Sequence, residues 1–297
     1  MSRCKVKILL DTDIGSDIDD AVTLAYLLAQ ARCDLLGITT VSGLPIERAM
    51  VASAICNAAN LNIPIIPGAE KPLDGPIRQP KVPQTEVLTR WPHETVFSDV
   101  SATEFMAETI RSNPGEVILL AVGQMTNIAD LFTSHPDIPS LVKSLHMMLG
   151  RFTDRQPEAP NSEWNVHCDP ASAAIIYSAD ISSKIARHTS IGLDVTKDVM
   201  MTTSKIEQHF THPILEPVLE MYHTGDRKYM TFHDPLAAVT LFDDSICDYE
   251  RGTATVNRLK GRDDGAIDWS PNSNGPHNVA VTVDPNRFFD SYFGVFG

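Results

Sequence analysis

Cysteine is scarce in this chain, which has five cysteines among 297 residues. They are odd in number, widely spaced and without a Cys-x-x-Cys pair, so we expect neither a disulfide framework nor a structural zinc site. This usage is typical of a reducing compartment, and we expect a cytoplasmic protein. The start of the chain has no charged segment followed by an apolar one, and no apolar run is long enough to cross a bilayer. We therefore expect neither export nor membrane insertion.

Positive charge is in short supply as well. The chain has 24 Lys and Arg against 38 Asp and Glu, a net charge of −14 and a pI near 5.0, and its basic residues form no cluster. This balance argues against binding to nucleic-acid phosphates. Neither G-x-G-x-x-G nor G-x-x-x-x-G-K occurs, which removes the main support for a dinucleotide or P-loop site. No internal repeat or low-complexity segment is present.

What the chain does contain is an alternation of strand and helix patterns, with 43% hydrophobic residues to build a core. Strands are predicted at 5–10, 34–41, 62–66, 117–122, 145–149, 185–190, 253–256 and 279–283. Helices are predicted at 21–31, 46–59, 101–111, from 126, 169–177, 204–224 in two pieces broken at Pro213, 236–241 and 285–296. This order indicates an α/β fold with a mainly parallel sheet. No linker divides the chain, so we predict one domain over residues 1–297, with a long surface loop from Lys71 to Pro92.

Five carboxylates follow the first strand within ten residues: Asp11, Asp13, Asp17, Asp19 and Asp20. No Lys or Arg stands between Lys7 and Arg32, so these like charges repel one another unless a cation lies among them. The simplest neutraliser is a hard divalent cation held by carboxylate oxygens. Helix capping could account for Asp19 and Asp20, but it does not explain the other three acids.

The residues of this loop carry a resemblance. Asp11-Thr12-Asp13, then Gly15, then Asp19-Asp20-Ala21 resembles the N-terminal signature of the inosine-uridine nucleoside hydrolase family, which are calcium-dependent N-ribohydrolases. The family places its paired Asp two residues closer to the glycine, so this chain resembles a longer-loop variant. Counting back from Ala21 makes Asp19 and Asp20 the family pair, whereas counting forward from Gly15 puts Asp17 in the first of those places. We prefer the first alignment.

Two further segments resemble the metal end of the family's site. His233-Asp234-Pro235 is by itself an ordinary helix start, with Asp as N-cap and Pro near the first position. By resemblance, Asp234 is a distal metal ligand and His233 is the acid near the leaving base. The segment that starts at Val122 resembles the family's strand end whose backbone carbonyl completes the metal shell. From the residues alone, a plain strand-to-helix turn explains this segment equally well.

Glu163-Trp164-Asn165 resembles the Glu-Phe-Asn with which the family holds the ribose hydroxyls. A carboxylate and an amide can together accept from and donate to a vicinal diol. We interpret Trp164 as a packing residue rather than a base-stacking one. The chain departs from the family at Leu44, where many members have a sugar-binding Asn, and in the Lys71 to Pro92 loop, which replaces a histidine and glycine motif.

The resemblance implies the nucleoside hydrolase fold, an open, mainly parallel Rossmann-like sheet flanked by helices. It implies hydrolysis of the N-glycosidic bond of ribonucleosides to free base and ribose with a calcium-bound water, in nucleoside salvage, by a homo-oligomer that is a dimer or tetramer. The predicted metal ligands are Asp13, Asp20, Asp234 and the Val122 carbonyl. The predicted catalytic residues are Asp13, which takes the proton of the water, and His233. The predicted substrate-binding residues are Asp19, Glu163 and Asn165.

Two alternatives stay open at this point. A strand that ends in Asp-x-Asp also marks phosphatases of the haloacid dehalogenase type, although Gly15 stands where that motif has Thr or Val. The second alternative is a nucleoside-binding or sugar-binding protein that keeps the metal site but does not turn substrate over, which the departures at Leu44 and in the Lys71 to Pro92 loop favour.

Overall fold

The computed structural model describes residues 5–259, 261 and 264–297, so Cys4 lies outside the described residues. Its main element is a nine-stranded sheet, and two further strands form a small second sheet. In chain order the strands are β1 (Val6–Thr12), β2 (Cys33–Thr40), β3 (Ile65–Pro67), β4 (Val117–Ala121), β5 (Ser144–Met148), β6 (His188–Ile191), β7 (Met200–Thr202), β8 (Tyr229–Thr231), β9 (Cys247–Val256), β10 (Ile267–Pro271) and β11 (His277–Val283). The four cysteines within these ranges are buried and form no disulfide.

The large sheet has the strand order β10-β9-β11-β6-β5-β4-β1-β2-β3. The seven neighbours from β11 to β3 are parallel, and β9 and β10 extend the sheet in antiparallel fashion at one edge. The stretch β3-β2-β1-β4-β5-β6 has the strand order of the doubly wound nucleotide-binding folds. The predicted α/β class with an open, mainly parallel, Rossmann-like sheet is therefore confirmed.

The helices connect these strands and cover both faces of the sheet. They are α1 (Asp19–Ala29), α2 (Pro45–Ala58), α3 (Ala102–Ser112), α4 (Thr126–Ser134), α5 (Ile138–Leu141), α6 (Trp164–Cys168), α7 (Pro170–Ile176), α8 (Ala179–Ser182), α9 (Leu193–Thr196), α10 (Thr203–His209), α11 (Glu216–Tyr222), α12 (His233–Thr240) and α13 (Pro285–Phe293). Short 3₁₀ helices occur at Pro83–Thr89, Pro213–Leu215 and Asp244–Ile246. None of the described helices is long and apolar enough to span a membrane.

The central strands are buried on both sides, which explains their continuous apolar sequence. All five residues of β4 are buried. Along β1, Ile8 and Leu10 pack with the apolar residues of α1, α2 and α12, whereas Leu9 packs with those of α3, α4 and α7. Side chains that alternate along a strand thus enter two different cores, as in parallel sheets covered by helices on each face.

The late strands are where the sequence prediction is least complete. β9 has ten residues instead of the four predicted, and β7, β8 and β10 are not predicted at all. Buried and more exposed residues largely alternate along β9, and the charged residues Asp248, Glu250 and Arg251 interrupt its apolar pattern. An antiparallel edge with one solvated face needs no continuous apolar run, so the pattern used for the central strands does not detect it.

The segment from Lys71 to Pro92 is not the simple surface loop that the sequence predicts. Val82, Val87 and Leu88 are buried in the same core as α2, and Gln84 is also buried. The apolar residues of this segment are spaced irregularly among prolines, so they show neither helical nor strand periodicity. Their burial holds the segment against the acid-rich loop rather than leaving it in solvent.

The strand order reverses between β1 and β4, because the chain runs outward to β3 on one side and outward from β4 on the other. In open α/β sheets the crevice at the carboxyl ends of the strands at such a point is the usual ligand site. The acid-rich loop follows β1 directly and Val122 follows β4, so both lie at this crevice.

Candidate active site

Three carboxylates from two helices meet at the carboxyl end of β1. Asp19 and Asp20 lie in the first turn of α1, and Asp234 lies in the first turn of α12. All three are buried, and each offers a carboxylate oxygen such that the three oxygens lie within 4.8 Å of one another. The N–H of Asp234 donates to Oδ2 of Asp19 at 3.2 Å, which joins the two helix starts. The sequence assigns Asp20 and Asp234 to a metal and Asp19 to the substrate, and the structure places all three together.

Asp13 lies beside this group and is 5% exposed. Burial raises the pKa of Asp13, and it raises the pKa values of Asp19, Asp20 and Asp234 well above the ordinary range, with the neighbouring negative charges adding to the effect. Such a cluster needs protons or a cation to be stable. Its donors are all oxygens, with no nitrogen or sulfur ligand among the three grouped residues, and this set fits a hard divalent cation.

Arg48 is fully buried beneath the acid loop, but it does not neutralise the acids by direct pairing. Its Nη1 donates to the carbonyl oxygens of Asp13 and Ile14, the latter at 3.0 Å, and its Nε donates to the carbonyl oxygen of Ser42 at 2.7 Å. Its Nη2 donates to the carbonyl and side-chain oxygens of Gln79, both at 3.2 Å. The guanidinium is therefore used to fix the backbone of the loop.

One amide links the two strand ends that border the crevice. Nδ2 of Asn165 donates to the carbonyl oxygen of Val122 at 2.8 Å and to that of Met148 at 3.1 Å. Val122 follows β4 and Met148 ends β5. The predicted metal-ligand carbonyl and the predicted substrate amide are thus in direct contact, and the carbonyl keeps a second lone pair.

Glu163 is the N-cap of α6. Its carboxylate accepts the N–H groups of Asn165 at 2.7 Å, Gly150 at 3.1 Å and Val166 at 3.2 Å. Burial raises the pKa of Glu163 to about 7 although these three donors favour the charged form. Its geometry is therefore fixed by the backbone, so this carboxylate is held in one orientation at the wall of the crevice.

His233 begins α12 next to Asp234. Its Nδ1 lies 2.7 Å from Oγ1 of Thr196, and burial lowers its pKa to about 4. The ring is therefore neutral at pH 7, where it can donate an N–H hydrogen bond but does not carry a proton to release as an imidazolium. The sequence reasoning, which gives His233 its role near neutral pH, does not anticipate this effect of burial.

These groups surround one cavity of about 380 Å³, within the size range of small-molecule sites. Its described lining residues include six acids, Asp13, Asp17, Asp19, Asp20, Glu163 and Asp234. Lys197 is the one Lys or Arg among the described lining residues. The apolar part of the wall includes Met148, Leu193 and Trp164. Trp164 is 49% exposed, and its ring contacts His167 at 5.7 Å between centroids, so it is half packed and half open to the cavity, and its role as a packing residue stays a prediction.

Asp11 and Asp17, the remaining acids of the loop, have different surroundings. Oδ1 of Asp11 accepts from Oγ1 of Thr39 at 2.5 Å and from Nδ2 of Asn127 at 2.7 Å, and burial raises its pKa to about 7. Asp17 is mostly exposed, and its carboxylate lies 3.8 Å from Arg227. Asp11 is thus held within the structure, whereas Asp17 lies at the rim of the cavity.

The site also contains residues that the sequence reasoning missed. Gln79 lines the cavity and hydrogen-bonds the side chain of Asp13, and Arg48 holds Gln79 in place. A signal for Arg48 was present, because it is the one basic residue in an otherwise small and apolar helix. No periodic pattern marks Gln79. Leu44, in contrast, is 38% exposed and is not among the residues that line the cavity.

Gly15 shows how closely the segment from Lys71 to Pro92 approaches the acid loop. Gly15 has a φ of 113°, and a Cβ at this position would collide with Val82. Next to this contact, Gln84 donates from its backbone to the carbonyl of Gly15 at 3.2 Å and from its side chain to the carbonyl of Asp17 at 2.6 Å. The segment therefore holds the loop shape on which the acids depend.

Comparison with known proteins gives a consistent result. Residues 8–290 match the family described as inosine-uridine preferring nucleoside hydrolase. The chain is 26% identical to a probable uridine nucleosidase 2 of Oryza sativa subsp. japonica, over 94% of this chain and 89% of that protein. It is 28% identical to the pyrimidine-specific ribonucleoside hydrolase RihA of Salmonella arizonae, over 77% and 76%. A purine-preferring ribonucleoside hydrolase from Gardnerella vaginalis has the same fold, with a TM-score of 0.82, 22% identity and 98% coverage of both chains.

Proposed function

Since this chain belongs to the inosine-uridine preferring nucleoside hydrolase family, and is thus an enzyme that hydrolyses the N-glycosidic bond of ribonucleosides, we propose how its own residues perform that reaction. The family membership leaves the phosphatase alternative without support. The observation that carries the proposal is the buried group of Asp19, Asp20 and Asp234 beside Asp13, in a cavity at the switch point of the sheet.

The cofactor is calcium, held by Asp13, Asp20, Asp234 and the carbonyl of Val122. Calcium accepts six to eight oxygen ligands in flexible geometry, and buried carboxylates together with a backbone carbonyl supply such a set. When bound, the ion would supply positive charge that acidifies a water and orients sugar hydroxyls. Asp19, which reaches the same group of oxygens, binds the substrate at the edge of this set.

Asp13 takes the proton of the attacking water. It is buried at the end of β1, and its side chain is fixed by Gln79. The reacting sugar develops positive charge at the anomeric carbon, and the surrounding carboxylates stabilise that charge. Asp13→Asn is expected to fold and to bind substrate while losing most of its turnover, because the proton acceptor matters most in the transition state.

Glu163 and Asn165 hold the ribose, and His233 activates the base. Glu163 is fixed by three backbone N–H groups and retains free lone pairs for hydroxyl donors. His233 is placed next to Asp234 on the cavity wall, where its N–H can hydrogen-bond the departing base. The substrate is a ribonucleoside, for which uridine is the first compound to test because a uridine nucleosidase and a pyrimidine-specific hydrolase are among the relatives.

The test measures release of base from uridine, cytidine, inosine and adenosine by dialysed protein with and without a chelator, together with the bound metal content. Turnover with one calcium per chain, lost with chelator and restored by calcium, would support the proposal. Asp20→Asn should weaken calcium binding, whereas Asp154→Asn, at a fully exposed carboxylate, is the matched control. Active, dialysed protein without a divalent ion would overturn the metal assignment.

Bound metal and nucleoside without turnover would contradict the catalytic roles proposed for Asp13 and His233. We further propose that the chain forms one domain over residues 1–297, assembles as a homodimer or homotetramer, and serves nucleoside salvage in the cytoplasm. Light scattering of the purified protein tests the assembly.

A further inference from the structure

A second cavity lies at the opposite end of the sheet from the acid cluster. It has a volume of about 350 Å³, and its wall contains Val6 at the start of β1, Ile118 near the start of β4 and Ser144 at the start of β5. The active-site cavity lies at the other ends of these strands. The two cavities are therefore separate, and the proposed reaction uses no residue of the second one.

Basic side chains are concentrated in this second cavity. Arg32, Lys143 and Arg187 all line it, and Asp244 is the one acid among the described lining residues. The chain as a whole has 24 Lys and Arg against 38 Asp and Glu. The cavity thus has more cations than acids, whereas the whole chain has more acids than cations. Positive charge in a concave site attracts anions.

Among the described residues, none of these three cations is paired with an acid in a salt bridge. The guanidinium of Arg32 donates to the carbonyl oxygen of Phe242 at 2.9 Å and lies 5.5 Å from the centre of the Phe242 ring, contacts that position it without neutralising it. Lys143 and Arg187 are exposed, and neither side chain forms an ion pair within the part of the chain that the structure describes. All three therefore remain free to contact an anion.

Apart from Asp244, the other polar side chains that line the wall are neutral. Nε2 of His146 lies 3.0 Å from Oγ1 of Thr240, and burial lowers the pKa of His146 to about 3. Ser144 adds a hydroxyl to the same wall. Oγ1 of Thr240 donates to the carbonyl oxygen of Ala237 at 2.9 Å, so Thr240 and His146 are paired within the protein. The hydroxyl of Ser144 can hydrogen-bond an anion, and none of these three groups brings negative charge.

We propose that this cavity binds a phosphate dianion, either as free phosphate or as the monoester group of a small metabolite. Guanidinium groups match the oxygens of phosphate with paired donors, and a lysine adds a point charge. The volume is in the range of sites for whole small molecules, so it leaves room for a sugar or a base attached to the phosphate. Binding should weaken as salt increases, because two of the three cations are exposed.

Isothermal titration calorimetry of the metal-loaded enzyme tests this proposal with inorganic phosphate, ribose 5-phosphate and uridine 5′-monophosphate as probes. The double variant Lys143→Gln with Arg187→Gln should weaken binding by at least about tenfold, the effect of losing charged hydrogen bonds. The matched control is Lys184→Gln with Arg90→Gln, which removes the same charges at surface positions that are paired with Asp180 and Glu220. Uridine hydrolysis should be unchanged in both variants, since none of these residues belongs to the active site.

The three probes also separate the two sources of the dianion. Equal affinity for all three identifies free phosphate as sufficient, and tighter binding of an ester shows that the walls contact the attached group. Equal weakening in the two double variants, or no binding of any probe by the wild type at millimolar concentration, would overturn the proposal and leave the residues as solvated surface cations. Because hydrolysis of uridine is measured separately, this failure is distinct from a failure of the proposed function.

Discussion

The side-chain amide of Asn165 donates to the main-chain carbonyl of Val122 at 2.8 Å, so one residue predicted to bind ribose directly supports one predicted to bind metal. The same amide reaches the carbonyl of Met148 at 3.1 Å, and it thereby fixes the spacing of the ends of β4 and β5. Substrate binding and metal binding are expected to be coupled through this contact.

Asn165→Asp tests that coupling. A carboxylate at this position would face two carbonyl oxygens without a donor, so calcium affinity and the KM for nucleoside should both worsen by roughly tenfold or more. Calcium titration and steady-state kinetics measure the two effects. Asn274→Asp, at an exposed position, is the matched control. Unchanged calcium affinity in Asn165→Asp would show that the Val122 carbonyl lies outside the metal shell.

His233→Ala should slow hydrolysis of natural nucleosides by roughly 10²–10³-fold if the N–H of His233 hydrogen-bonds the departing base. A ribosyl substrate with nitrophenolate as leaving group needs little help and should lose far less. Rates with both substrates on one folded variant provide the measurement. Equal losses, together with a lower melting temperature, would mean that the contact of His233 with Thr196 is structural.

Arg48→Lys should lower both the melting temperature and the affinity for calcium. A lysine has three donors without the planar fork of arginine, so some of the carbonyl oxygens of Asp13, Ile14, Ser42 and Gln79 would lose their buried partner, at a cost of about 1–3 kcal/mol each. Thermal unfolding and calcium titration report the two effects. The control, Arg111→Lys, alters an exposed pair with Asp137. Retention of both properties in Arg48→Lys would contradict a role in holding the acid loop.

Acid should destabilise the protein through a buried pair of histidines. The rings of His188 and His277 lie 4.8 Å apart, and burial lowers the pKa values of His188 and His277 to about 3 and about 4. In the unfolded chain these histidines have an ordinary pKa near 6.5, so they take up protons at a higher pH than in the folded protein. The stability gained by keeping them neutral in the fold is therefore complete above pH 6.5 and is lost as the pH falls towards 4 and 3. For His188 the loss at pH 5 is about 2 kcal/mol.

His188→Phe keeps an aromatic ring and removes the titrating group, so its melting temperature should fall less between pH 7 and pH 5 than that of the wild type. Thermal unfolding at a series of pH values supplies the comparison. Parallel curves for the two proteins would show that other groups are responsible for the loss at low pH.

The sequence is sufficient to predict the class of the sheet and the approximate positions of the central strands and helices, because buried parallel strands have continuous apolar runs. β4 is an example, since its five buried residues lie within the predicted strand. The meeting of Asp20 with Asp234 could also be expected, since the family resemblance gives both residues as metal ligands. Their placement with Asp19 in a single group of oxygens is a tertiary relationship that spacing along the chain does not reveal.

Other features could not be predicted for physical reasons. The antiparallel strands β9 and β10 are exposed on one side and lack a continuous apolar pattern. Gln79 reaches the site from a segment without periodicity, and its position depends on Arg48. The lowered pKa of His233 comes from burial, which a sequence pattern does not measure. In each case the deciding contact joins residues that are distant in the chain.

The contact between Gly15 and Val82 has a consequence for how this site can change. The enlarged acid loop and the segment from Lys71 to Pro92 are shaped against each other, since glycine at position 15 is required by the valine above it. Recombination that exchanges only one of these segments with a shorter-loop relative would leave a clash or a void beside the carboxylates. The two segments are therefore expected to change together in evolution, and a designed chimera should transfer both of them.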